Sequence, residues 1–278
     1  KGEGLGNKFL SNIREVDMIV HVVRMFEDSD VHHVDGTIDP LRDVEIIEME
    51  LAMADMVTVE KRLANVKSKM KSGKTKDLEK EESAVKKIFD VLENGKMANT
   101  ADLTDDEKIA IKEMSLLTNK PILYVVNVGE DAASNKNWSS PLGDNRMALP
   151  ISIKVESEIM EMSKEDQNEF LNELGFEQSG LDRLISNCYT LLNLITYFTS
   201  GEVETRAWTV LKGTKAPQAA GVIHTDFEKA FIRAEVISAT DFIELNGESG
   251  ARDAGKQRIE GKEYVVQDGD VCHFRVGV

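Results

Sequence analysis

The chain has 278 residues, 41% of them hydrophobic and only 6% aromatic, which is enough apolar material for a sizeable core spread over two or three domains. A net charge of -16 excludes general coating of nucleic acid but leaves room for a local basic contact, because screening confines each patch to about 8 Å. No run of about 18 apolar residues and no charged segment followed by an apolar stretch is present, so the sequence reads as a soluble, intracellular protein with no membrane partner.

Lys1 stands where an initiator Met would, and Gly2-Glu3-Gly4-Leu5-Gly6 follows with no strand before it. This is not the Gly-x-Gly-x-x-Gly pattern and reads as a flexible glycine loop. An amphipathic helix is predicted over residues 7 to 14, then a β-branched run over residues 18 to 23 enters a sheet. From Asp43 onward Met56, Val59, Leu63, Val66 and Met70 step by three and four, the stripe of a long helix that breaks at Ser72-Gly73-Lys74. Val85, Ile88, Phe89 and Leu92 form the stripe of a second helix ending at Asn94-Gly95. The pair is predicted to be an antiparallel hairpin with a coiled-coil-like seam. Lys67, Lys69, Lys71, Lys74 and Lys76 surround its tip with no acidic residue between Lys61 and Lys76. They read either as a solvated helix end or as a contact for RNA phosphates.

Thr104 with Glu107 makes a capping box, so a helix is predicted from there through Leu117. The run Pro121-Ile122-Leu123-Tyr124-Val125-Val126-Asn127-Val128-Gly129-Glu130 reads as a buried strand ending on an amide and a carboxylate. It is either a strand entering a turn or a base-recognition motif, since ligands of open α/β sheets sit beyond the carboxyl ends of the strands. A Ser- and Asn-rich stretch leads to a second short strand within residues 147 to 154. Ser163 to Asp166 start a helix that Gly175 ends, and residues 181 to 198 read as one long helix with Leu184, Ile185, Leu191, Leu192 and Ile195 inside. The remainder is β-rich, with strands predicted at residues 207 to 211, 231 to 237, 264 to 267 and 271 to 276, a short helix near Asp226 and an Asp268-Gly269 turn. Lys256, Arg258 and Lys262 alternate with Glu260 and Glu263, which favours a solvated face over an RNA patch. Cys188 and Cys272 have no His or Cys neighbours at metal-ligand spacing and read as buried thiols.

Several motifs together carry a family resemblance. Gly2-Glu3-Gly4-Leu5-Gly6-Asn7, His21-Val22-Val23-Arg24, Asn127-Val128-Gly129-Glu130, Arg206-Ala207-Trp208-Thr209-Val210, His224-Thr225-Asp226-Phe227-Glu228-Lys229 and Val266-Gln267-Asp268-Gly269-Asp270-Val271 closely resemble the YchF, or Obg-like ATPase, family of the P-loop GTPase superfamily. The resemblance runs over essentially the whole chain. It implies an α/β fold: a partial P-loop NTPase G domain in residues 1–44 (after switch II) and 119–200, an inserted helical coiled-coil arm in 45–118, and a C-terminal α+β TGS domain of β-grasp type in 201–278. It further implies hydrolysis of ATP, with GTP a poorer ligand, Mg2+ and K+ as ions, and a cytoplasmic monomer. The partners implied are the ribosome, through its large subunit and rRNA, in translation or stress regulation.

By the same resemblance Asn127, Val128, Glu130, Ser152 and Lys154 are expected to bind the nucleotide base, and Gly2, Gly4 and Gly6 form a loop beside a switch. In guanine-specific relatives an Asp accepts from guanine N1-H and the 2-amino group while a Lys packs on the base. Here Val128 replaces the Lys and Glu130 the Asp. Adenine has no 2-amino donor and offers a lone pair at N1, so a carboxylate aimed there gains nothing. Asn127 has both donor and acceptor and serves either purine, with Val128 expected to pack on the base. In Val31-His32-His33-Val34, His33 resembles the family's water-positioning histidine, the other reading being a surface loop histidine.

The Gly-x-x-x-x-Gly-Lys-Ser/Thr loop and the Asp-x-x-Gly motif, which the resemblance places before Lys1, are not among these residues, so no metal ligand is expected in them and the sequence is expected to be part of a longer protein. The family's helix between Glu130 and Met147 looks shortened or replaced. Besides a nucleotide hydrolase, the residues allow a non-catalytic ribosome or RNA adaptor using the helical arm and TGS domain, or a protein scaffold with a vestigial site.

Overall fold

In the computed structural model, which describes residues 6–26, 37–135, 137–201 and 203–277, the chain divides into a first unit ending at Ile185 and a second beginning at Ser186. In the first unit α1 (Asn7–Glu15) leads into β1 (Ile19–Arg24), close to the expected bounds. Next comes α2 (Pro40–Ser72), started by Asp39, whose carboxylate accepts the Arg42 N–H at 3.1 Å, and by a proline at a position needing no donor. The helix therefore runs without a break through the expected domain boundary at residue 44. Gly73 ends it, Thr75 caps α3 (Lys76–Glu93), and the two helices pack as the hairpin the stripes predicted. Val59 and Val66 of α2 and Val85, Ile88 and Leu92 of α3 are buried, with Met56, Leu63 and Phe89 packed beside them. Each such side chain contributes about 1.5 to 3 kcal/mol relative to exposure.

The Thr104–Glu107 capping box opens α4 (Asp105–Ile111) with both bonds in place. Glu107 also accepts from Ser83 Oγ at 2.6 Å and Lys87 Nζ at 2.8 Å, which fastens α4 to α3. The predicted extension to Leu117 fails: the chain tightens into 3-10 turns, and Ser115 turns it with φ 47, a left-handed conformation a helix cannot pass through. Then follow β2 (Ile122–Asn127), α5 (Glu130–Ala133), β3 (Ala148–Ile151), α6 (Ile153–Met160), α7 (Lys164–Glu173) and α8 (Gly180–Leu191). The strands form a parallel sheet in the order β1-β2-β3, and Leu123, Tyr124, Val125 and Val126 of the centre strand are buried in succession, as expected of a strand covered on both faces.

The expected helix over residues 181 to 198 is corrected. α8 stops at Leu191, Asn193 takes a left-handed φ of 54, and β4 (Leu194–Ser200) follows. Ile195 fits a helical stripe with Leu191 and Leu192, but it also alternates with Tyr197, and tertiary burial selects the period of two.

In the second unit β4 is joined by β5 (Thr205–Leu211), α9 (Ala216–Ile223), α10 (Thr225–Ala230), β6 (Phe231–Ser238), α11 (Ala239–Glu244), α12 (Glu248–Asp253), β7 (Arg258–Glu260) and β8 (Asp270–Val276). The sheet order is β5-β4-β8-β6-β7, with β4 and β8 parallel and the other neighbours antiparallel. Tyr197, Ala219, Ala234, Val236 and Val266 fill the core beneath α9. Residues 264 to 267, expected as a strand, contribute only a bridge between Lys215 and Val265. Their motif serves as a polar brace: buried Asp270 accepts from Gln267 N–H at 2.8 Å, Tyr264 Oη at 2.6 Å and Arg258 at 3.2 Å, while Asp268 accepts from Thr196 N–H at 2.8 Å.

Candidate functional site

The three parallel strands end together at one edge, where Arg24, Asn127 and Ile151 lie in register. Asn127 is at the centre of that edge. Its Oδ1 accepts the Ile153 N–H at 3.1 Å, and its carbonyl accepts from Met25 N–H at 2.8 Å. The acceptor of the amide is thus committed to the first turn of α6, and its Nδ2 donor is what remains for a ligand.

Glu130 is exposed on the first turn of α5, one residue past the Gly129 cap. Ser152 is buried and caps α6, its Oγ accepting from Val155 N–H at 3.5 Å, while Lys154 is exposed. Asn127, Glu130, Ser152 and Lys154 therefore lie near the carboxyl edge of one sheet. Val128 is the exception. It is 3% exposed and packed with Tyr124, Val126, Ala133 and Leu142, so in this conformation it presents no face to a base. A short apolar side chain after β2 gains more by joining the core than by covering a ligand.

Of the glycine loop, Gly6 caps α1, and neither its φ of -62 nor nearby atoms demand a glycine there. Gly2, Gly4 and His33 lie outside the described residues. Lys67, Lys69, Lys71, Lys74 and Lys76 are all exposed around the hairpin tip. Lys67 and Lys74 face Glu82, whose carboxyl is held below its ordinary value by the Lys86 hydrogen bond first and by these two charges in addition. Lys69, Lys71 and Lys76 form no ion pair among the described residues.

A polar cluster beneath the sheet was not anticipated. Glu48 of α2 accepts from Tyr124 Oη at 2.5 Å and from Arg146 at 2.9 and 2.8 Å, and the His21 ring lies 5.6 Å from that of Tyr124. Burial alone would raise the Glu48 carboxyl, but the Arg146 and Tyr124 hydrogen bonds outweigh it and hold it below its ordinary value. Burial lowers His21 against the pull of Glu48 and Asp43. The available signal was periodicity: Glu48 and Asp55 occupy positions of α2 flanked by the buried Val44, Leu51, Ala52 and Val59.

An open cleft of about 490 Å³ beside β3 is lined by Trp138, Pro150, Phe176 and Arg183 and shares no residue with the base motifs. In the second unit Glu235, Glu248 and His273 lie within 4.8 Å of one another, but Arg233 and Arg275 already hold Glu235, and Arg252 holds Glu248. At the sheet edge Glu130 is the single carboxylate of the motif, and since Mg2+ in nucleotide sites is held by one or two carboxylates together with the substrate's phosphates, this edge alone does not define a metal site.

Residues 194–277 match the family YchF-GTPase_C, described as "Protein of unknown function (DUF933)". The chain is 50% identical over 286 residues to "Ribosome-binding ATPase YchF" of Bacillus subtilis, covering 100% of this chain and 78% of that protein. It is 51% identical over 283 residues to the protein of the same name from Haemophilus influenzae, with the same shares covered. Among solved structures, "Structure of the Schizosaccharomyces pombe YchF GTPase" superposes with a TM-score of 0.84 at 39% identity, covering 99% of this chain and 76% of that one. The mixed α/β fold, the sheet edge that gathers the base motif and this identity along the whole chain agree: the chain belongs to the YchF family.

Proposed function

We propose that the chain serves a ribosome-associated nucleotide hydrolase of the cytoplasm that takes ATP in preference to GTP. The observation that carries this reading is Asn127, held at the carboxyl edge of a parallel sheet with its acceptor fixed and its donor free among the described residues. That donor suits an acceptor on the edge of either purine. Glu130 starts a helix and does not supply the short Asp arm that grips the guanine N1-H and 2-amino pair, so the usual guanine advantage of about 1 to 3 kcal/mol is lost. Val128 supports Asn127 from within the core rather than lying on the base. Ser152 and Lys154 complete the base edge, and His33 orients the attacking water. The first unit is the partial G domain with residues 45–118 as its helical coiled-coil arm, and the second unit, whose sheet takes in β4 (Leu194–Ser200) ahead of residues 201–278, is the TGS domain. Calorimetric titration of the full-length protein with ATP and GTP tests the reading. Tighter ATP binding is expected, and a strong preference for GTP would overturn it.

A second reading, an adaptor that binds ribosomal RNA without catalysis, is favoured by one observation: Lys69, Lys71 and Lys76 are exposed without ion-pair partners among the described residues in a chain of net charge -16. Salt-dependent pelleting with ribosomes in the absence of any turnover would select it.

A further inference from the structure

We infer that Arg14 and Asp55 form a relay by which the position of α1, the helix that follows the glycine segment, is passed to the foot of the helical arm α2. The inference rests on the nucleotide reading above for the origin of the signal, and on the following geometry for its path.

Packing holds α1 weakly. None of its described residues is buried, and Phe9 is 51% exposed. Polar bonds at its last turn anchor it instead. Arg14 Nη1 donates to Asp55 Oδ1 at 3.3 Å and to the Ser115 carbonyl at 3.2 Å, and Nη2 donates to the Ala54 carbonyl at 3.4 Å and Thr58 Oγ1 at 3.2 Å. From the other side Lys120 Nζ donates to the carbonyls of Arg14 at 3.1 Å and Val16 at 2.5 Å. One guanidinium thus spans a full turn of α2 and the connector leading to β2.

Asp55 gives the bond its leverage. The residue is 0% exposed, and its carboxylate accepts from Leu117 N–H at 3.0 Å, Thr118 N–H at 2.8 Å and Thr118 Oγ1 at 2.8 Å. Those three donors are neutral, and Arg14 is the cation bonded to it among the described residues. Withdrawing Arg14 leaves a buried charge without its counter-ion, which forces α2 or the connector to rearrange rather than flex. Ser115, held at φ 47, is the strained point of that connector, and the strand beyond it ends at Asn127. The arm, the connector that leads to β2, and α1 therefore meet at one carboxylate. Arg14 acts as a positioning residue, and lysine cannot replace its fork because an ammonium reaches fewer of these acceptors at once.

Hydrogen exchange in the full-length protein, with ADP and a non-hydrolysable ATP analogue as probes, tests the relay. In the wild type the two nucleotides should give exchange rates along residues 54 to 66 that differ by about threefold or more. Arg14→Met should still bind both nucleotides by calorimetry yet lose that difference, and Arg14→Lys should keep part of it. Thr58→Val, which removes one acceptor and is milder for folding, should shrink it. A difference that persists in Arg14→Met, or in Thr58→Val at full size, overturns the relay. So does wild-type protein that binds nucleotide with no response in α2. Failure of the wild type to bind either nucleotide removes the nucleotide reading and the relay together.

Discussion

Asn127 Oδ1 accepts the backbone N–H of Ile153 at 3.1 Å, so the amide that ends β2 also fastens the first turn of α6. The two halves of the base motif are one hydrogen-bonded unit, and this separates two roles of the side chain. Asn127→Ala removes both the helix tie and the ligand donor. Asn127→Asp keeps the acceptor, now charged and favoured at a helix N-terminus, and removes only the donor. Nucleotide affinity should fall about 5- to 150-fold in both, the equivalent of about 1 to 3 kcal/mol. Thermal stability should fall only in Asn127→Ala. Aspartate binding as tightly as asparagine in calorimetry would exclude the donor role.

Val128 stands where guanine-specific proteins carry a lysine, so Val128→Lys is the natural attempt to restore GTP preference. Because Val128 is packed among Tyr124, Val126 and Leu142, the substitution buries an ammonium with no partner. Urea unfolding should show a loss of about 3 to 5 kcal/mol, with no gain in GTP affinity. A stable variant that binds GTP more tightly would mean that residue 128 can turn out to the ligand.

Acid stability should decline in two stages. Burial lowers His21 below 6.5, so the folded state resists protonating it. Its stabilising effect is present above 6.5 and declines as the pH falls from there. Glu107 sits at about 2 against an ordinary 4.5, through the hydrogen bonds from Lys87 first, then Ser83 and the Thr104 N–H. That anion stabilises the fold above 4.5, and its effect drains away as the pH drops toward 2. Glu48, also lowered, adds to the same stage. In urea midpoints measured across pH, Glu107→Gln should be less stable near neutrality and flatter below pH 4.5, with the upper stage unchanged. An unaltered acid limb in Glu107→Gln would refute this assignment.

What could be read without coordinates was local. The Thr104–Glu107 box, the Val59 and Val66 stripe and the unbroken apolar run buried in β2 each involve neighbours within about two helical turns. The place of Asn127 at a strand end was legible, and Ser152 comes beside it because parallel strands bring their carboxyl ends to one edge. Misread elements were those whose local pattern fits two periods, as with Ile195, or whose side chain suits two environments, as with Val128. The Glu48–Arg146 pair and the Asp55 network join residues dozens of positions apart, and only their place on the buried face of α2 hinted at them.

The proposed contact of the hairpin tip with the ribosome can be tested sharply, because its lysines are not equivalent. Lys67 and Lys74 share their charge with Glu82, whereas Lys69, Lys71 and Lys76 have no ion pair among the described residues. A lysine that neutralises a phosphate releases a counterion, so removing one such lysine should reduce the slope of log affinity against log salt by about 0.7 to 0.9. Gln at positions 69, 71 and 76 together should therefore flatten the salt dependence of ribosome pelleting by about 2 to 3 and weaken binding at low salt. Gln at 67 and 74 should do less per residue, since Glu82 already offsets part of their field. All five are exposed, so thermal melts should stay within about 0.5 kcal/mol of the wild type. Equal weakening per residue from the two sets, or pelleting indifferent to salt, would take the tip out of the interface.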